Sequence, residues 1–139
     1  MRTRRRVLSA IVAALMMVSV NASAASAYTR TWTYSGSFRA SLTSTSFANT
    51  AAGTIKITVH GTNCSVDYPY LYLELRVQQT IGWSTVGSRR TVYCAGASVP
   101  VSFTWSNSRV GTYRMFFYRS GPPGLDENWK RVNGTVYYW

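Results

Sequence analysis

Apolar and polar residues alternate along most of the chain, and this pattern constrains the fold more than any other feature. From residue 31 to residue 42, Trp, Tyr, Phe, Ala and Leu occupy even positions, while Thr, Ser and Arg occupy odd ones. Successive side chains of a β-strand point to opposite faces, so this spacing predicts one long half-buried strand, bulged at Gly36. The same alternation predicts strands over residues 55–60, 70–78 and 98–105.

Three further segments predict strands with a less regular pattern. Residues 84–94 are interrupted by Gly87, residues 112–119 are apolar or aromatic on both faces, and residues 129–139 close the chain. Pro100 lacks the backbone donor that a central strand needs, so its strand is expected at a sheet edge. Clusters of Gly, Pro, Asn and Ser separate the segments and indicate short turns.

Seven short strands with short connections predict an all-β fold: one antiparallel β-sandwich over residues 28–139, of immunoglobulin-like size. A small closed β-barrel is the alternative. The chain has two cysteines, Cys64 and Cys94, and in an exported protein such a pair predicts a disulfide. Their spacing differs from that of immunoglobulin domains, so we expect the bridge to clip a loop to a nearby strand end instead of joining the sheets.

Residues 1–27 have the three parts of a secretory signal peptide. Arg2 and Arg4–Arg6 form a basic start, Val7–Val20 is an apolar run without charge, and small residues over 22–27 offer cleavage sites. The apolar run is short for a membrane span. The sequence therefore predicts a secreted protein of bacterial type, cleaved near residue 27 and without a membrane span thereafter. The paired arginines before Val7 leave twin-arginine export open as a second route.

The chain after residue 27 is strongly basic. Its 112 residues hold 11 Lys and Arg against four Asp and Glu, which gives a net charge of about +7. A basic exported protein attracts polyanions, including cell-envelope polymers, acidic polysaccharides, lipid headgroups and nucleic acid. We expect a cell-envelope polysaccharide or another anionic polymer as partner, no specific nucleic acid, and a monomer.

Groups for acid–base catalysis are few. His60 is the single histidine, and a triad with Asp67 and a serine lacks the nucleophile-elbow sequence that would support it. Asp126 and Glu127 are adjacent in a predicted loop, which favours a solvated turn over paired catalytic carboxylates or a loose calcium site. We therefore expect a protein that is not an enzyme and that uses no metal and no cofactor.

Aromatic residues occupy positions that the alternation assigns to an outward face. In an immunoglobulin-like strand order the third and sixth strands are neighbours, so the outward positions of residues 70–78 and 112–119 would form one patch if Tyr113, Met115 and Phe117 point inward. The reverse facing of residues 112–119 would place Phe116 and Tyr118 in the core instead. Aromatic rings offer stacking surfaces to sugars, and arginines pair with carboxylate or phosphate. The alternative is that these side chains only support the sheet as cross-strand pairs. The predicted ligand-binding residues are Tyr70, Tyr72, Arg76, Arg114, Phe116 and Tyr118.

Short sequences at both ends suggest a second function. Residues 31–36 (TWTYSG) and the terminal Tyr137-Tyr138-Trp139 resemble the ends of lactococcin-972-type bacteriocins, which are small exported β-sandwiches. This resemblance implies a secreted bacteriocin-like antagonist, although those proteins are shorter and lack the cysteine pair. A third hypothesis is a secreted peptidase inhibitor that presents Gly121–Asn128 as a proline-braced loop. Carriage of a small molecule, as in the enediyne-binding apoproteins, is a further possibility.

Overall fold

The computed structural model describes residues 28–125 and 128–139. In these ranges the chain forms ten β-strands and no helix. The predicted signal peptide and the Asp126–Glu127 pair lie outside the described residues. The strands are β1 (Arg30–Phe38), β2 (Ser41–Thr43), β3 (Phe47–Asn49), β4 (Gly53–Thr62), β5 (Tyr70–Gln78), β6 (Trp83–Thr85), β7 (Arg90–Tyr93), β8 (Val101–Ser108), β9 (Gly111–Arg119) and β10 (Lys130–Tyr138).

Two antiparallel sheets pack face to face. The four-stranded sheet has the order β1-β10-β4-β8. In the six-stranded sheet, β5 lies between β9 on one side and β6 and β7 on the other, and β9 pairs in turn with β2 and β3. The predicted antiparallel β-sandwich is confirmed, and the closed barrel is wrong.

The core consists of the inward positions of the alternating segments. Aliphatic residues of β4 and β10 in one sheet face leucines of β5 and large side chains of β9 in the other. Removing this much apolar surface from water is the main stabilising contribution to such a fold. Among the best-buried apolar side chains of the core are Ile55, Ile57, Val59, Leu71, Leu73, Leu75, Tyr113, Met115, Phe117, Val132 and Val136.

The predicted long strand over residues 31–42 divides into two strands in different sheets. β1 pairs with β10 in unbroken register from Arg30 to Phe38, so the predicted bulge at Gly36 is wrong. Arg39 and Ala40 then carry the chain across to β2, which pairs with β9 in the other sheet. The alternation continues through this corner because both strands face the same core, and the pattern alone cannot tell which sheet a segment joins.

Other strand boundaries also differ from the prediction. Residues 84–94 form two strands, β6 and β7, separated by a turn in which Gly87 has a φ of +64°, and β3 was missed. The segment predicted over 98–105 starts as a strand only at Val101 and extends to Ser108, and Val99 is exposed. The expected edge position is confirmed, since Pro100 directly precedes β8 at the end of the four-stranded sheet.

The predicted disulfide between Cys64 and Cys94 is confirmed, with Cα atoms 5.2 Å apart. Cys94 directly follows β7, and its carbonyl accepts a hydrogen bond from the Cys64 backbone N–H at 3.1 Å. Cys64 comes two residues after β4, which belongs to the other sheet. The bridge clips the loop that holds Cys64 to a strand end, as expected. It also ties the two sheets together at one end of the sandwich, so the expectation that it does not join the sheets is wrong.

Opening this bridge should destabilise the fold strongly. It closes a loop of about 31 residues, for which chain entropy predicts a loss of about 3.7 kcal/mol in the free energy of unfolding. Urea unfolding of the oxidised protein and of a Cys64→Ala/Cys94→Ala variant measures this difference. Reductant should lower the midpoint of the wild type and leave the variant unchanged; equal stability of the two proteins would contradict the expectation.

A glycine in the central strand β10 allows a side chain of β1 to cross it. The hydroxyl of Tyr34 donates a 2.8 Å hydrogen bond to the carbonyl of Thr58 on β4, passing over Gly134. The Thr58 hydroxyl in turn accepts from the backbone N–H of Thr135 at 2.9 Å. Burial of the Tyr34 ring raises the pKa of its phenol well above the usual range, so the hydroxyl keeps its proton and remains a donor.

Gly134→Ala should be costly, because the added Cβ would overlap the Thr58 carbonyl oxygen and approach the Tyr34 hydroxyl. We expect the free energy of unfolding to fall by about 1–3 kcal/mol, as for other overpacked sites. Asn133→Ala, at the exposed neighbouring position, serves as control and should change it by less than about 0.5 kcal/mol. Equal urea midpoints for the two variants would contradict this account.

Candidate functional site

The outer face of the six-stranded sheet carries the predicted ligand-binding residues. β5 and β9 are neighbours, with Tyr72 opposite Tyr118 and Arg76 opposite Arg114. The inward positions of both strands are fully buried in the core, so the alternate positions must face outward. The patch was expected only if Tyr113, Met115 and Phe117 point inward, and this is the facing observed. One surface therefore holds Tyr70, Tyr72, Arg76, Arg114, Phe116 and Tyr118.

Three arginine side chains lie over aromatic rings on this surface. The distances from the guanidinium carbon to the ring centroid are 3.9 Å for Arg76 over Phe116, 4.0 Å for Arg114 over Trp83, and 4.1 Å for Arg89 over Tyr72. Such cation–π contacts hold a guanidinium in a defined plane. We call this surface the arginine–aromatic face; its members are Tyr72, Glu74, Arg76, Trp83, Arg89, Arg114, Phe116 and Tyr118.

The aromatic rings also contact one another, which links β5 and β9 across the face. The ring centroids of Phe116 and Tyr118 are 5.4 Å apart in a stacked arrangement, and those of Tyr72 and Tyr118 are 5.1 Å apart. Aromatic pairs at these distances add to the stability of a sheet beyond their buried area. The rings therefore form a continuous base on which the guanidinium groups rest.

Glu74 is the one carboxylate of this face in the described part of the chain. Its Oε2 accepts hydrogen bonds from Arg76 Nε at 3.0 Å, Arg76 Nη2 at 2.8 Å and Thr85 Oγ1 at 3.2 Å. Its Oε1 accepts from the Tyr118 hydroxyl at 3.3 Å. Partial burial by itself would raise the pKa of Glu74, but the hydrogen bonds and charge of Arg76, with those from Thr85 and Tyr118, lower it below its ordinary value.

Among the described residues this face carries a net positive charge, and the exposed guanidinium of Arg89 offers hydrogen-bond donors to a ligand. Arg89 is exposed and donates to the Tyr118 hydroxyl at 3.4 Å, while Nε of Arg114 is buried without a hydrogen-bond partner in the structure. In the described part of the chain, this face therefore has the three guanidiniums of Arg76, Arg89 and Arg114 and one carboxylate, that of Glu74. Guanidinium groups bind carboxylate and phosphate with paired hydrogen bonds, so this face is chemically suited to an anionic ligand.

Tyr70 belongs to a different part of the same sheet face. Its ring packs edge-on against that of Tyr93, at 5.7 Å between centroids, and the two residues are directly opposite in the pairing of β5 with β7. They are 43% and 49% exposed. Among the described residues, no arginine lies over either ring. Tyr70 and Tyr93, here called the tyrosine pair, thus offer bare aromatic surface.

Sequence reasoning missed Trp83, Arg89 and Tyr93. All three belong to the segment 84–94 or border it, and this segment lacked a clean alternation because it divides into β6 and β7. The composition of this segment could have indicated these residues, because residues 83–93 include a Trp, a Tyr and two arginines, the residue types of the predicted patch. Whether Trp83 and Tyr93 face outward depends on the separate pairing of β6 and β7 with β5. The sequence pattern does not indicate this pairing.

The single histidine of the sequence, His60, contacts Ser98. Nε2 of His60 lies 3.1 Å from the Ser98 carbonyl oxygen and 3.3 Å from Ser98 Oγ. The Ser98 hydroxyl directs its own proton to the Gly61 carbonyl at 2.6 Å, so it is not oriented to give that proton to the imidazole. Across residues 28–125 and 128–139, no group of three or more His, Cys, Asp or Glu side chains is placed to hold a metal ion.

An apolar groove of about 300 Å³ opens on another side of the sandwich, between β1 and β2. Trp32, Tyr34, Leu42 and Phe117 line it, with Ser and Thr residues at its margin. The groove contains two aromatic residues of the segment that resembles bacteriocins. It is a site of the size that small ligands use, and small-molecule carriage stays a hypothesis here.

Comparison of the chain with protein-family models and with curated protein sequences finds no match. The resemblance to bacteriocins therefore rests on residues 31–36 and 137–139 alone. The antagonist and inhibitor functions stay hypotheses. In the presented loop, the described residues Gly121–Leu125 are exposed. No helix long and apolar enough to cross a membrane occurs within the described segments.

The lowered pKa of Glu74 makes stability depend on pH in a defined direction. Because the folded-state pKa lies below the ordinary value of 4.5, the unfolded chain binds the proton more readily. The ionised Glu74 carboxylate therefore contributes to the free energy of unfolding above pH 4.5, and this contribution is lost as the pH falls through the folded-state pKa. Glu74→Gln should lower the free energy of unfolding by about 0.5–1 kcal/mol at neutral pH and weaken its fall in acid. Urea unfolding between pH 7 and pH 3 checks this, and parallel curves for the two proteins would contradict it.

Proposed function

We propose that this protein is an exported, non-enzymatic binding protein that recognises an anionic polymer of the cell envelope through its arginine–aromatic face. The observation that carries the proposal is the stacking of Arg76, Arg89 and Arg114 on aromatic rings of one sheet face, where Glu74 is the one carboxylate among the described residues. An array of cations along one sheet face matches the repeated charges of a polyanion better than it matches a single small anion.

The stacking favours binding because it limits the freedom of the arginine side chains before a ligand arrives. A free arginine loses considerable rotamer entropy when it is held by a ligand, and this loss weakens binding. Here the Phe116, Trp83 and Tyr72 rings already support the guanidiniums, and Glu74 holds Arg76 with two hydrogen bonds. Since the guanidiniums lie over these rings, this part of the face supports charge pairing in preference to stacking of a neutral sugar.

Export is part of the proposal. The basic start, apolar run and small residues of the first 27 positions have the form of a signal peptide. The disulfide between Cys64 and Cys94 is compatible with an extracellular protein. The non-enzymatic role is supported by the scarcity of acid–base groups in the sequence and by the orientation of the Ser98 hydroxyl away from His60.

Arginine substitutions on the face should weaken binding to an anionic envelope polymer. At low salt, Arg89→Gln and Arg114→Gln should each lower the apparent affinity for purified cell walls by about threefold to tenfold. A smaller fraction of each variant should therefore sediment with the walls. Raising the ionic strength should reduce the binding of the wild type, because exposed charges are screened. Co-sedimentation across a salt series measures both effects.

The matched control is Arg131→Gln, which removes the same charge from an exposed position of β10 in the other sheet. It should leave the apparent affinity within about twofold of the wild type, because a distant exposed charge contributes little. If all three variants lose affinity equally, binding depends on net charge alone and the proposed face is wrong. If the wild type fails to sediment with any anionic wall polymer at low salt, the proposed function is wrong.

A further inference from the structure

The tyrosine pair and the arginine–aromatic face are adjacent, and together they define the ligand more closely. Tyr70 and Tyr72 are alternate residues of β5, so their side chains leave the same face one strand repeat apart, about 6.8 Å along the strand. The guanidinium of Arg89 lies over the Tyr72 ring. A bare aromatic surface and a guanidinium group are therefore neighbours on one sheet face.

The two neighbouring surfaces differ in chemistry. Tyr70 and Tyr93 are 43% and 49% exposed, and no arginine of the described residues stacks on them. Paired aromatic side chains that remain exposed on a sheet face indicate an interaction surface. The Tyr72 ring, by contrast, contacts Arg89 on one side and Tyr118 on another, so it presents mainly charge to a ligand.

We infer that the ligand is an acidic polysaccharide, with a sugar ring packed on Tyr70 and Tyr93 and the anionic group of the same or the next unit paired with Arg89. A sugar ring has apolar C–H faces that pack on aromatic rings, and its carboxylate or phosphate accepts hydrogen bonds from a guanidinium. This inference rests on the proposed function and adds the sugar to it. A polyanion without sugar units would use the arginines alone.

A comparison of anionic polymers with and without sugar units tests the inference. Polygalacturonate and a phosphodiester-linked glycan combine sugar and anion, while polyglutamate and inorganic polyphosphate carry matching anions without sugar. The affinity of the oxidised protein for each is measured at one fixed ionic strength by isothermal titration. The variants are Tyr70→Ala/Tyr93→Ala and Arg89→Gln, with Tyr137→Ala as control on the outer face of the other sheet, where Lys56 lies over its ring.

The double tyrosine variant should lose about tenfold in affinity for at least one acidic glycan and less than twofold for the matching polyanion without sugar. Arg89→Gln should weaken binding to both members of that pair, and Tyr137→Ala should weaken neither. A loss of affinity for polygalacturonate but not for polyglutamate identifies the anion as a carboxylate. A loss for the phosphodiester-linked glycan but not for polyphosphate identifies it as a phosphate. Equal urea midpoints for wild type and variants show that the losses are not caused by unfolding.

The outcomes that overturn the inference are distinct from those that overturn the proposed function. If the double tyrosine variant binds every polymer as the wild type does, or loses affinity equally for glycans and for polyanions without sugar, the inference is wrong. An effect of Arg89→Gln in the same experiment still supports the proposed function. If the wild type binds none of the four polymers at low salt, the inference is wrong, and sedimentation with purified cell walls separately decides the proposed function.

Discussion

The pairing of β5 with β9 over a buried apolar layer is the constraint on which the rest of this structure depends. Leu73 and Leu75 on one strand and Met115 and Phe117 on the other are almost completely removed from water. Because side chains alternate along a strand, burying these residues forces their neighbours to the outer face in matching register. A shift of one residue would expose the leucines and bury Arg76 in β5, or expose Met115 and Phe117 and bury Arg114 in β9, and both are energetically prohibitive.

The outer face illustrates how a sheet can carry several like charges without losing stability. Arg76 and Arg114 are directly opposite in the pairing, an arrangement that is unfavourable for bare cations. Each guanidinium is instead placed over a ring, and Glu74 neutralises one of them. The same contacts that stabilise the sheet hold the charged groups in a fixed array, so the structural and the ligand-binding interpretations of these residues are compatible.

The alternation predicted the sandwich and the facing of residues 70–78, because it reports directly which side of a strand is buried. The position of residues 112–119 beside them followed from analogy with an immunoglobulin-like strand order. The facing of residues 112–119, which are apolar or aromatic on both faces, was decided only by the tertiary structure. The alternation did not predict where Arg39 and Ala40 turn the chain into the other sheet, since both strands keep the same period against the same core. It also missed the facing of Trp83 and Tyr93, because strands as short as β6 and β7 contain too few residues to show a period.

By itself, the sequence determined the fold class, the disulfide partners and the identity of the charged and aromatic residues that alternate with the core. The tertiary structure decided that Arg89 reaches Tyr72, that Arg114 reaches Trp83 and that Tyr93 stands opposite Tyr70. The physical reason is the range of the interactions. Alternation is a local property of a single strand, whereas these contacts join strands whose register is set only when both sheets close over the core.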